Sequence, residues 1–301
     1  MLISCGLPTA GAWAVPETVA GVAARAEELG YHGLWSFSRL LVGADQDLAP
    51  VYRSVLDPML ALTYAAARTS TIRLGVSVLN LPYLSPTYLA KQASTLDVLS
   101  GGRFDLGLGT GWSEPEFAAT GSDPNPRGAR TEEYLGVLRT LWTAPGTEYK
   151  GKLYSVPPAT MAPPPVQSGG PPVLLGGTAD VALRRAGRIA AGWLSSSRAT
   201  LTDIERGTQI VRRAAEESGR DPDAVRIVVR AVVRPGRRDD DLPLSGDWEQ
   251  IRAGAQQYAE AGVTELFYDL NWDPMIGSPD ADPVAAWERA QEILTALAPS
   301  H

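Results

Sequence analysis

From one end to the other the chain alternates strand-like and helix-like segments, and few folds accommodate that order. Strand candidates fall at 2–8, 33–37, 72–79, 104–110, 173–176, 192–196, 225–233 and 263–269. Helix candidates fall at 16–29, 57–68, 86–99, 131–142, 179–190, 200–218, 247–261 and 283–297. Asp57-Pro58 and Ser85-Pro86 each place a capping oxygen before a proline at the first helical position. Val19, Val22, Ala23, Ala26 and Leu29 recur at helical spacing. Ser100-Gly101-Gly102 supplies a left-handed stop. Eight strand–helix units are the arithmetic of an α/β fold of the (β/α)8 TIM-barrel type, and 301 residues suit one such domain spanning 1–301. A doubly wound open sheet is the alternative, usually shorter. The repeat is interrupted at 157–172, where prolines stand at 157, 158, 163, 164, 165, 171 and 172. This stretch is expected as an extended insertion over the C-terminal, catalytic face of the barrel.

Composition removes several kinds of chemistry. Histidine occurs twice, at His32 and His301, and cysteine once, at Cys5. A Ser-His-Asp triad, a two-histidine metal site or a Cys-His pair would each depend on His32, so no metal site is expected. His32 lies in the loop entering the second strand, on the stability face of a barrel. Cys5 alternates with Ile3 and Leu7 and reads as a small buried hydrophobe. His301, the last residue, is expected to fray. Net charge is −7 with no basic stripe, which argues against nucleic acid. No apolar run reaches the ~20 residues of a membrane helix. The N-terminus lacks the basic region of a signal peptide, so a cytoplasmic location is expected. Arg237-Arg238-Asp239-Asp240-Asp241 reads as a solvated loop.

Two strands show one bulky and one small face. Ile72, Leu74, Val76 and Val78 alternate with Arg73, Gly75 and Ser77; Phe104, Leu106, Leu108 and Thr110 alternate with Asp105, Gly107 and Gly109. Small residues at the upper centre of a barrel leave room for a flat ring, or serve packing alone. The Gly107-to-Gly111 run fails the dinucleotide fingerprint, because Trp112 occupies the third glycine position and no long helix opens after it. Gly176-Gly177-Thr178 ends the fifth strand and opens a helix that Thr178 can cap. Bare N–H groups there make an anion site, or an ordinary capped turn. Ser195-Ser196-Ser197-Arg198 ends the next strand and adds three hydroxyls and a cation, which strengthens the case for a phosphate.

Four segments carry a family resemblance: Thr71-Ile72-Arg73-Leu74-Gly75-Val76, Leu96-Asp97-Val98-Leu99-Ser100-Gly101-Gly102-Arg103-Phe104, Leu106-Gly107-Leu108-Gly109-Thr110-Gly111-Trp112, and Pro172 to Gly177 followed by Ala191-Gly192-Trp193. Together they resemble the luciferase-like flavin and deazaflavin oxidoreductases. Gly262 to Glu265 and Asp273-Pro274 resemble the deazaflavin-using branch. The resemblance implies a single barrel, commonly dimeric, with the ring of coenzyme F420 held at the strand C-termini. It implies a non-proline cis peptide at Ser77-Val78. It carries cofactor binding onto Ser77, Val78, Thr110, Gly111, Gly176, Gly177, Thr178, Ser195, Ser196, Ser197 and Arg198. Arg198 stands where one branch has a substrate-binding lysine, and reads equally as a cofactor-tail contact or a surface arginine.

One departure limits the functional reading. Many relatives carry Asp-His after the second strand, where this chain has Ser38 and Arg39. Arginine does not exchange a proton near neutrality, but it binds carboxylate or phosphate and stabilises developing negative charge. Ser38 and Arg39 are the candidate catalytic pair. Trp112, Asp269 and Asn271 are candidate substrate contacts, and Tyr268, Asp269 and Glu114 are candidate proton donors. The leading expectation is an F420-dependent oxidoreductase that reduces C=C, C=N or C=O. The alternatives are an FMN-dependent monooxygenase on the same barrel and a non-catalytic cofactor-binding barrel.

Overall fold

The computed structural model describes residues 1–236 and 238–299; Arg237 and His301, both read above, lie outside the described residues. The first half of the chain runs β1 (Leu2–Gly6), α1 (Pro16–Glu28), β2 (Gly33–Ser36), α2 (Pro58–Ala66), β3 (Arg73–Asn80), α3 (Pro86–Ser100), β4 (Phe104–Gly109), α4 (Glu114–Thr120) and α5 (Arg127–Thr143). A hairpin of β5 (Thr147–Lys150) and β6 (Ser155–Ala159) follows. The second half runs β7 (Val173–Gly176), α6 (Asp180–Ile189), β8 (Gly192–Leu194), α7 (Leu201–Glu217), β9 (Arg226–Ala231), β10 (Arg234–Pro235), β11 (Ser245–Gly246), α8 (Trp248–Glu260), β12 (Glu265–Tyr268), α9 (Pro274–Gly277) and α10 (Pro283–Ala296).

Eight strands pair in parallel and close in the order β1-β12-β9-β8-β7-β4-β3-β2. This is the expected (β/α)8 barrel. The local signals act where they were read. Asp57 accepts from the Leu60 amide and Ser85 from the Tyr88 amide, and Gly101 takes a left-handed φ of +68° at the end of α3. Thr178 does not cap α6; that helix begins at Asp180 behind Ala179, without a side-chain cap.

The barrel interior is built in layers. At the foot, Asp105 bonds Arg73 and Arg226, Arg226 reaches Glu265, and Glu265 Oε1 accepts from Ser4 Oγ and Trp35 Nε1, both at 2.7 Å. Burial alone would raise the Asp105 carboxyl, but the two guanidiniums hold it below its ordinary value. His32 lies beside this network, and burial holds its imidazole below the ordinary value. Above the network, Trp35 stacks on Phe267 with centroids 5.4 Å apart, packed with Leu174, Leu194 and Val228. This layer uses the space that the small strand faces offered. A Cβ on Gly75 would come 2.5 Å from the Trp35 ring, and one on Gly107 would meet Val76 O at 2.0 Å and Leu194 at 2.4 Å. Those glycines admit protein side chains, not a ligand ring.

The Pro-rich stretch departs from its expected place over the catalytic face. Lys91 Nζ and Ser94 Oγ of α3 donate to the carbonyls of Ala162 and Pro163. Asp97 then accepts from the amides of Val166 and Gln167, and Gln167 Nε2 bonds Phe104 O. The segment descends the outside of α3, because the β5–β6 hairpin runs back along α5 and the chain must return from it to the foot of the barrel, where β7 begins. Among the described residues no helix is long and apolar enough to cross a membrane.

Candidate active site

The mouth of the barrel is formed by the loops after the strands, and β3 sets its floor. Pairing between β3 and β4 shifts register between Val76 and Leu79, and the Ser77–Val78 peptide is cis. The Val78 side chain lies over the ends of β4 and β7. A Cβ on Gly109 would come 2.6 Å from Val78 Cγ2, and one on Gly176 3.3 Å from Val78 Cγ1. Ser38 Oγ donates to Val78 O at 2.6 Å. The structure thus places Ser38 as a tether of the β3 bulge.

Arg39 lies on the rim in a corner formed by two rings. Its guanidinium carbon sits 4.6 Å from the Tyr52 centroid and 4.5 Å from that of Trp112, and the two rings meet edge-on with centroids 6.3 Å apart. NH1 is 3.1 Å from Glu116 Oε2, and both side chains are almost wholly buried, 5% and 1% exposed. Glu116 Oε1 also accepts from the Leu40 amide at 2.7 Å, which ties the loop after β2 to α4. NH1 is thus engaged by the Glu116 carboxylate, while Nε of Arg39 is a buried donor without an acceptor. The buried Tyr83 hydroxyl lies against Glu116 and the Ser113 backbone, and Ser113 Oγ nearby is buried without a partner. Burial and the neighbouring Glu116 push the Tyr83 phenol up to about 12. Gly111, at φ +73°, is where the backbone passes that hydroxyl; a Cβ there would come 2.8 Å from it. Trp112 covers Arg39 with one face and is 53% exposed.

Across the mouth a second pair repeats the arrangement. Arg230 bonds Asp269 through Nε at 2.6 Å and stacks on Phe37 at 4.6 Å. Asp269 Oδ1 accepts from the Asn271 amide and Nδ2. Asn271 also donates to Leu7 O and accepts from the amides of Thr9 and Ala10. These bonds make Asn271 a loop anchor, and they leave Asp269 engaged with Arg230. Tyr268 points away from the mouth into the helix-packed core, and burial pushes its phenol up to about 12. Glu114 stands exposed in the first turn of α4.

At the ends of β7 and β8 lies a cavity of about 140 Å³, lined by Thr178, Trp193, Ser196, Arg198, Asp203 and Arg206. Gly177 O accepts from Trp193 Nε1, which fixes one wall. Ser196 Oγ accepts from the Arg198 amide. Ser195 faces elsewhere, accepting from the Arg230 amide. A phosphate-sized group fits hydroxyls and a guanidinium in that volume, so the residues present suit a phosphate-bearing cofactor.

Several participants were not singled out from the sequence. Tyr52, Glu116, Tyr83 and Arg230 come from four separate segments with no local motif. Arg238 and Asp239–Asp241, read as solvated, line with Arg234 and Trp272 a cleft of about 810 Å³. For Glu116 the available signal was a carboxylate one turn into a helix that follows a glycine-rich strand end.

The sequence profile of the luciferase-like monooxygenases matches residues 3–243. An uncharacterised protein of Mycobacterium tuberculosis is 32% identical over 240 residues, 78% of this chain and 75% of its own. The pyrimidine monooxygenase RutA of Escherichia coli is 30% identical over 207 residues, 66% of this chain and 55% of its own. The coenzyme F420 dependent tetrahydromethanopterin reductase of Methanopyrus kandleri superposes with a TM-score of 0.78 at 19% identity, covering 99% of this chain and 98% of its own. The structural likeness shows a shared fold, and the profile match shows that this chain belongs to the luciferase-like monooxygenase family.

Proposed function

We propose that the protein transfers hydride from reduced coenzyme F420 to a C=C, C=N or C=O group of a small organic substrate. The observation that carries this direction is the condition of the buried carboxylates at the mouth. Glu116 and Asp269 are each bound to an arginine, so neither is free to take a proton from an alcohol. The same loops hold donors without acceptors, which suits a reaction that builds negative charge on substrate.

In this reading Thr178, Ser196, Ser197 and Arg198, with the amides of Gly176 and Gly177, hold the cofactor phosphate. Ser195 supports this strand end through β9. Ser77, Val78, Thr110 and Gly111 form the floor beneath the ring, and Ser38 keeps that floor in place. The cofactor, when bound, supplies the hydride. Arg39 donates to the substrate oxygen or nitrogen as charge develops. Tyr83, protonated at neutral pH, returns a proton to that atom or its conjugated carbon. Trp112 covers the substrate, while Asp269 and Asn271 shape the opposite wall.

The likeness to a pyrimidine monooxygenase supports a second reading, FMN-dependent oxygenation in the same mouth. Paired fluorescence titrations of the purified protein with F420 and with FMN separate the two. Tight binding of F420 alone supports hydride transfer. Binding of FMN alone overturns it in favour of oxygenation, and binding of neither removes the phosphate role of the Gly176–Arg198 region.

The proposal includes a cytoplasmic homodimer. Leu60 of α2 and Tyr88 and Leu99 of α3 are 70%, 64% and 62% exposed on adjacent helices, an apolar area suited to a second copy. Light scattering of a Leu60→Glu/Leu99→Glu variant is expected to give a monomer where the parent gives a dimer; a parent monomer would refute it.

A further inference from the structure

We infer that the groove between α6 and α7 is a second anion subsite, continuous with the phosphate pocket, that takes an oligocarboxylate extension of the bound cofactor. The inference rests on the deazaflavin reading, because F420 carries a chain of glutamates beyond its phosphate and FMN ends at that group.

Arg206 joins the two sites. It lines the 140 Å³ phosphate pocket and also a cavity of about 250 Å³ whose walls include Arg184, Gln209, Arg213 and Glu217. Arg206, Gln209 and Arg213 recur on one face of α7, so the two arginines stand roughly 10 Å apart along the helix. Three guanidiniums stand against two carboxylates here, Glu217 of the cavity wall and Asp180 beside it, in a chain whose net charge is −7. Asp180 bonds Arg206 at 2.5 Å and Arg184 at 3.5 Å, which orients both heads along the groove. Arg213 is exposed and has no ion-pair partner among the described residues. The other large opening at the mouth sets Asp239, Asp240 and Asp241 against two guanidiniums, Arg234 and Arg238, an excess of negative charge. An anionic extension leaving the phosphate pocket is therefore favoured on the α6–α7 side over the β9 side.

The test compares two cofactor forms, F420 with several glutamates and F420 with none. Each is titrated by fluorescence at low salt into the parent and an Arg184→Gln/Arg213→Gln variant, whose fold is checked by thermal unfolding. Neither substituted residue belongs to the proposed phosphate or substrate contacts. The long-chain form is expected to bind the parent about 3- to 30-fold more tightly than the chain-free form, from a few exposed charge pairs. That preference should vanish in the variant and at high salt, with chain-free affinity the same in both proteins. Equal affinities of the two forms for the parent, or a preference that survives in the variant, would overturn the inference and leave the deazaflavin reading standing. Failure of both forms to bind would overturn both.

Discussion

Each end of the barrel holds buried arginine–carboxylate pairs, but the two ends are completed differently. At the foot, Arg73, Asp105, Arg226, Glu265, Ser4 and Trp35 satisfy one another with protein atoms. None of these side chains is among the unpartnered buried groups. At the mouth, Arg39 and Arg230 turn their faces to aromatic rings, and Arg39 Nε, Ser113 Oγ and Trp272 Nε1 are buried polar atoms without partners. Unpaired buried donors cost stability, and a ligand bringing acceptors to the mouth would offset that cost. The foot is finished by the protein alone; the mouth is not.

This contrast can be broken experimentally. The largest effect is expected at the foot. Arg226→Met leaves Glu265 buried without a cation, and should lower unfolding free energy by about 3–5 kcal/mol in urea titrations. Cofactor affinity of the folded fraction should not change; a coupled loss of affinity would mean that the two ends do not act separately.

Next comes the mouth. Arg39→Met should reduce turnover by about 10²–10³-fold while F420 affinity stays within about threefold. The same substitution strands the Glu116 charge, so Arg39→Met/Glu116→Gln should be more stable than Arg39→Met by about 1–2 kcal/mol, with turnover equally low. Recovery of turnover in the double variant would assign Arg39 a structural role only.

A smaller effect concerns acid. Glu27 at the end of α1 is pushed by burial toward protonation, but it accepts from the amides of Ser70, Thr71 and Ile72 and the Thr71 hydroxyl, and its pKa falls from 4.5 to about 2. A lowered folded-state pKa contributes stability above the unfolded value and loses it as pH falls. Glu27→Gln should therefore be less stable than the parent at pH 7, and the difference should shrink between about pH 4.5 and 2. A constant difference across that range would exclude the linkage. The smallest stability effect belongs to Trp112→Ala, within about 0.5 kcal/mol for a largely exposed side chain. Its effect should instead appear as a raised KM.

Much of the fold was legible. Each of the eight barrel strands and their following helices lies where the periodicity places it, within a few residues at the ends. Hydrophobic alternation and proline-marked starts are local, so they survive in the linear order. That Thr178, Ser196 and Arg198 would share one cavity was legible as well, because each follows directly from a strand end. The partners of Arg39 were not. Tyr52 reaches it from farther along the same connection after β2 and Glu116 from α4 after β4, and no spacing rule joins them.

The sequence by itself determined the barrel, the face that bears the site and the replacement of Asp-His by Ser38-Arg39. Tertiary structure alone decided what the small residues admit. Alternation tells which residues point inward, but not which side chain from a strand elsewhere in the circle fills the space. Closure of the barrel brings Trp35 against Gly75 and Leu194 against Gly107, while Gly109 and Gly176, one layer higher, are left beneath Val78. The same closure pairs the foot charges with one another and leaves those at the mouth incomplete, because the interior at the foot is sealed by protein while the strand ends open onto loops.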